Sequence, residues 1–120
     1  MRYKLVCTCI TVLLLMACNK KDDNVIMFRV QNATGQNLNN VAAEGYSFGN
    51  LPAGAITKYT KVVQLNSDPG THFYIGTQSY DAGSHLYLLV ASYLPAGKYT
   101  LKIYKDTLPD YPYNSVFIKE

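Results

Sequence analysis

From Val25 to Asn32 the residues alternate in character: Ile26, Phe28 and Val30 fall on one face of an extended chain, and Met27, Arg29 and Gln31 on the other. A period of two marks a strand with one buried face. No apolar stripe with the 3.6-residue period of a helix runs for a useful length. Tyr, Val, Ile and Thr, which suit a pleated surface, are plentiful, and Gly, Pro and Asn interrupt them at short intervals. The chain is therefore constrained to short strands and turns.

Further strands are expected over Val41–Tyr46, Ser47–Leu51, Ile56–Leu65, Thr71–Thr77 and Ser115–Lys119. Turns are expected over Asn32–Asn40, Pro52–Gly54, Asn66–Gly70 and Tyr80–Ser84, with a loop over Leu108–Tyr113. The clearest unit is a hairpin from His85 to Lys105, connected by Ser92–Gly97. Its register pairs Val90 with Tyr99, Leu88 with Leu101 and Leu86 with Ile103, which places every large apolar pair on one face. Seven or eight strands spaced in this way predict an antiparallel β-sandwich, immunoglobulin-like or transthyretin-like, with a small β-barrel as the alternative. Leu-Pro-Ala-Gly occurs at 51–54 and 94–97, each followed by Lys-Tyr-Thr. Either an internal duplication or the same turn chemistry at two strand entries accounts for it.

The first 17 residues obey different rules. Met1–Lys4 is cationic, and Leu5–Met16 is an apolar run of 12 residues. That run is too short for a membrane-spanning helix, which takes roughly 20 residues, but suits a cleaved export signal. Leu15-Met16-Ala17-Cys18 resembles the lipobox of bacterial lipoproteins, with an ordinary secretory signal as the alternative. The resemblance implies cleavage after Ala17 and a diacylglyceryl thioether on Cys18. Two acyl chains hold a protein stably on a bilayer, where a single chain is marginal.

The expected organisation is a signal peptide at 1–17, a lipidated polar tether at 18–24 and one β-domain at 25–120. Asn19–Asn24 contains six polar residues that reach roughly 20 Å when extended. Its Lys21-Asp22-Asp23 resembles the surface-export signal of Bacteroidetes-type lipoproteins, which implies display on the cell exterior. Retention on a periplasmic face is the alternative. The run Phe48-x-x-Leu51-x-x-Gly54-x-x-Thr57-x-Tyr59 resembles small uncharacterised β-sandwich lipoproteins of the same bacterial group, a family that implies no established activity.

Cleavage changes the charge balance. Loss of Arg2 and Lys4 leaves nine basic and eight acidic residues, so nucleic acid is not an expected partner. Cys7 and Cys9 leave with the signal, and Cys18 becomes the sole cysteine. No intramolecular disulfide can form, and stability must come from the core.

Catalytic patterns are missing from the sequence. His72 and His85 lack metal-ligand spacing, and Ser84-His85 adjacency is not a nucleophile–base arrangement. Glu44, Asp68, Asp81, Asp106 and Asp110 are assigned mainly to turns, where such carboxylates cap backbone amides. We expect no enzyme, no cofactor and no metal. Asn32-Ala33-Thr34 is formally a glycosylation sequon, though a bacterial lipoprotein is not expected to meet that machinery. Asp106-Thr107-Leu108 resembles the Bacteroidetes O-glycosylation site, which implicates Thr107.

The hairpin register also groups residues on its second face: His85 with Tyr104, Tyr87 with Lys102, Leu89 with Thr100. One reading buries this face under another element. The other makes Tyr87, Lys102 and Tyr104 a platform for a glycan or protein partner. The expected function is a non-enzymatic binding module held on the outer membrane through Cys18, with an accessory or structural subunit of an outer-membrane uptake or adhesion assembly as the alternative.

Overall fold

The computed structural model describes residues 24–83, 92–107 and 109–120. Eight strands occur among them, and no helix: β1 (Ile26–Ala33), β2 (Leu38–Ala43), β3 (Tyr46–Leu51), β4 (Thr60–Val62), β5 (Thr71–Ile75), β6 (Gln78–Ala82), β7 (Gly97–Lys105) and β8 (Tyr113–Lys119). They form two four-stranded sheets, β4-β1-β7-β8 and β3-β2-β5-β6, packed as a sandwich rather than a closed barrel. In the immunoglobulin arrangement the first strand pairs with the second. Here β1 pairs with β4 and, in parallel, with β7.

The alternation in β1 does what its period predicts. Ile26, Phe28 and Val30 are buried, and Phe28 meets Tyr46, Phe48 and Phe117 edge-on at centroid distances of 6.0, 5.5 and 5.9 Å. Tyr99, Leu101 and Ile103 on β7 enter the same core, facing Leu38, Val41 and Phe73 from the other sheet. Phe73, Tyr80 and Tyr113 form a second aromatic group. Polar side chains also join the sheets: the Ser115 hydroxyl donates to the Ala82 carbonyl at 2.6 Å and lies 3.2 Å from that of Thr71. Each fully buried large side chain stabilises by about 1.5–3 kcal/mol.

Asn32 is a buried polar residue whose hydrogen bonds are met. Its amide nitrogen lies 2.7, 2.9 and 3.1 Å from the carbonyls of Gln36, Leu51 and Pro52. Its side-chain oxygen accepts the Thr34 N–H at 3.1 Å and the Thr34 hydroxyl at 2.7 Å. The sequon pattern is thus a structural knot in which Asn and Thr bond to each other, and Asn32 is fully buried.

Several expectations are corrected. Both edges of β7 are occupied, by β1 and β8, where the expected hairpin had one partner at 85–91. Residues 85–91 themselves lie outside the described residues. Residues 80–82 of the turn expected at 80–84 belong to β6, and the reversal sits earlier, at Gly76-Thr77, because Tyr74 and Ser79 are already paired. The long strand expected at 56–65 is regular only at β4. Ile56 lies opposite Gln31 and Thr60 opposite Phe28, so four steps on one strand match three on the other. That extra residue is a bulge, and there the Thr57 hydroxyl accepts the Val30 N–H at 2.9 Å. The two Leu-Pro-Ala-Gly copies differ in shape: the first closes a turn, with the Ala55 N–H on the Pro52 carbonyl at 3.0 Å, while the second opens β7.

Candidate functional site

Residues that alternate with the core residues of β4, β1, β7 and β8 form the outer face of that sheet. The register sets them in rows. Met27 lies between Lys61 and Lys98, and Thr100 between Arg29 and Ile118. Lys102 lies between Gln31 and Val116, and Tyr104 between Ala33 and Asn114. Ile56 extends the Lys102 row through its bridge to Gln31. Ile56, Val116 and Ile118 are 49%, 41% and 45% exposed. The face therefore carries three open aliphatic side chains amid lysines.

The rows nearest the start of β1 are organised by a carboxylate. Glu120 receives the Arg29 guanidinium at 2.7 Å and the hydroxyls of Thr100 and Tyr59. Arg29 Nε also donates to the Thr100 hydroxyl at 3.1 Å, and the guanidinium lies 4.8 Å from the centre of the Tyr59 ring. Lys98 Nζ lies 5.3 Å from the centre of the same ring. The Thr100, Tyr59 and Arg29 hydrogen bonds all favour the ionised form and hold the Glu120 carboxyl at about 2. Bonding to Glu120 raises the Tyr59 phenol in turn. This cluster fixes side chains that would otherwise be mobile and presents a charge-paired, preorganised surface. Sequence reading missed Glu120 altogether, since its partners stand 20, 61 and 91 residues away.

Of the platform expected from sequence, Lys102 and Tyr104 share this outer face and are half-buried. Their strand partners are Gln31, Val116, Ala33 and Asn114 rather than residues from 85–91. Tyr87 lies outside the described residues, as do His85, Cys18, the expected signal peptide at 1–17 and most of the expected tether. Thr107 is exposed in the β7–β8 connection, where its N–H bonds the Asp106 carboxylate at 2.7 Å.

The opposite sheet offers one chemically suggestive pair. His72 Nδ1 lies 2.7 Å from the Asp81 carboxylate, with Tyr74 edge-on to the imidazole at 5.2 Å. The neighbours His72 and Asp81 pair across β5 and β6, so Asp81 belongs to a strand and not to the expected turn. A carboxylate that orients an imidazole is part of a nucleophile-activating arrangement, but this pair stands on an open sheet face where water is not excluded. Among the described residues no group of three or more His, Cys, Asp or Glu side chains converges as a metal site. Glu44, on the β2–β3 turn, accepts the Gly70 N–H at 3.1 Å, and burial pushes its carboxyl above the usual range.

Comparison with protein-family models, with curated proteins and with solved structures finds no match to this chain.

Proposed function

We propose that this protein is a lipid-anchored, surface-displayed interaction module that is not an enzyme and that engages a protein partner through the outer face of the β4-β1-β7-β8 sheet. The observation that carries the reading is the set of exposed Ile56, Val116 and Ile118 beside Lys102 and the Arg29–Glu120 cluster. Exposed aliphatic groups on a sheet face complement another protein surface. A sugar ring would call for an aromatic ring open to stacking; on this face Tyr59 already lies against Arg29 and Lys98, and Tyr104 is half-buried. The surrounding lysines favour a partner surface with carboxylates around an apolar centre.

Size supports a transient contact over a permanent subunit joint. Strands of this length in a four-stranded face offer about 500 Å², from a rise of about 3.3 Å per residue and a spacing of about 4.8 Å. That falls short of the roughly 800 Å² per partner of a standard interface. The lipobox-like Leu15–Cys18 and the Lys21-Asp22-Asp23 of the tether support the anchor and its outward placement.

A photo-crosslinker at Val116, compared with one at Ser79 on the other sheet, tests the reading in intact native cells. A discrete protein adduct from position 116, lost on Lys102→Glu and Ile118→Glu substitution, is the expected result. Equal crosslinking from positions 116 and 79 overturns the assigned face. Protection of the domain from added protease on intact cells overturns surface display.

A further inference from the structure

We infer that the end of the domain from which the tether emerges rests directly on an anionic membrane surface, with β1 standing away from the bilayer. The inference rests on the lipid-anchor reading of Cys18.

The geometry begins where the tether joins the fold. The Val25 carbonyl accepts the Gly97 N–H at 3.0 Å, and Ile26 lies between Val62 and Gly97. Six residues separate Cys18 from this end of the sheet, a reach of roughly 20 Å. A short tether holds the end near the headgroups at millimolar effective concentration, so that even a weak contact is occupied.

The residues at that end are suited to an interface. Val63, immediately after β4, is 95% exposed, and Tyr93 is 66% exposed. Both belong to segments that continue past the strand ends and pair with each other. Asn66 bridges to Tyr93, the Leu94 N–H bonds the Leu65 carbonyl at 2.8 Å, and the Ser67 N–H bonds the Ser92 carbonyl at 2.8 Å. Tyrosine favours the headgroup level, with its ring in the apolar region and its hydroxyl in water. Exposed Lys61, Lys98 and Lys119 lie in the terminal rows of the same sheet. Nearby, the Glu120 charge is matched by Arg29, and Asp68 and Glu44 are the acidic residues at the 66–70 loop. A basic surface lysine is worth about fivefold in partitioning to an anionic leaflet.

The chain contains no tryptophan, so single reporters test the inference in the mature, lipidated protein. Tyr93→Trp marks the proposed contact and Ala33→Trp marks the other end of β1. Each protein is mixed with neutral phosphatidylcholine vesicles and with vesicles containing about a third phosphatidylglycerol, the latter with brominated chains as quencher. We expect all proteins to float with both vesicle types. Quenching in the anionic vesicles should be at least threefold stronger at position 93 than at position 33. Lys61→Glu, Lys98→Glu and Lys119→Glu together should abolish that difference without changing flotation. Flotation with equal quenching at the two positions overturns the docking and leaves the anchor intact. Failure of the lipidated chain to float on neutral vesicles overturns the anchor, and the docking with it. Circular dichroism of each variant identifies any loss of fold, and a Tyr93→Trp difference that survives charge reversal in a folded protein overturns the role of the lysines.

Discussion

Arg29 and Glu120, 91 residues apart in the chain, meet at 2.7 Å across the surface of β7. Thr100 lies between them on that strand and bonds both. One carboxylate thus ties β1, β7 and the segment after β8 together, and through the Tyr59 hydroxyl it also ties the residue that precedes β4.

That relationship predicts a pH dependence. The folded Glu120 carboxyl is held at about 2, against an ordinary value of 4.5. Because the folded value is the lower one, the contribution is complete above about 4.5 and is lost as the pH falls toward about 2. Glu120→Gln should lower the urea midpoint at pH 7 and have little effect near pH 2. Tyr59→Phe removes one of the bonds that favour the carboxylate, and should move the acid-side loss to higher pH. Urea titrations across pH 2–7 check both variants, and parallel curves for wild type and Glu120→Gln would refute the assignment.

The Asn32 knot predicts an intolerant position. Asn32→Ala should cost about 3 kcal/mol or more, because several buried groups lose partners together. Asn32→Asp keeps an acceptor for Thr34 but turns a negative charge toward three carbonyl oxygens. It should be less stable than Asn32→Ala at pH 7 and should recover part of that difference on acidification. Equilibrium denaturation at two pH values measures the effect.

Phe28 is fully buried beneath three aromatic edges. Phe28→Ala should cost about 3–5 kcal/mol, a large share of the roughly 5–15 kcal/mol that holds a domain of this kind together. Val116→Ala on the exposed face should change stability by less than about 0.5 kcal/mol. Thermal melts distinguish the two.

At Gly97 the backbone has φ of +147°, and an added Cβ would lie 3.4 Å from the Lys119 side chain. Lys119 can move, so the conformation sets the cost. Gly97→Ala should destabilise by about 1–2 kcal/mol, and adding Lys119→Ala should not restore it. Rescue by the second change would instead identify the contact as the cause.

What the sequence made legible was local. Period two in 25–32 gives β1 and its buried face, and the turn residues at 66–70 correctly separate β4 from β5. The spacing of such runs was enough for a sandwich of seven or eight strands. Partner choice was not legible, because alternation marks a strand's buried face without naming its neighbour. The hairpin at 85–105 was the shortest local solution, yet β7 takes β1, which begins 71 residues earlier, on one edge. Asp81 and Gly83 made 80–84 resemble a turn, whereas Tyr80 and Ala82 pair with Phe73 and Thr71. The outer face was half legible: Lys102 and Tyr104 were grouped by parity alone, while Ile56, Val116 and Ile118 join them only through register with other strands.

The parallel pairing of β1 with β7 also governs the order of events during synthesis. β1 emerges first, and one of its two neighbours is not complete until residue 105 has been made. Until then the chain's most regular apolar ladder has an open side. Contacts that span so much of the chain slow folding, so a nascent or truncated product is a substrate for proteases and chaperones for longer than a chain of consecutive hairpins would be.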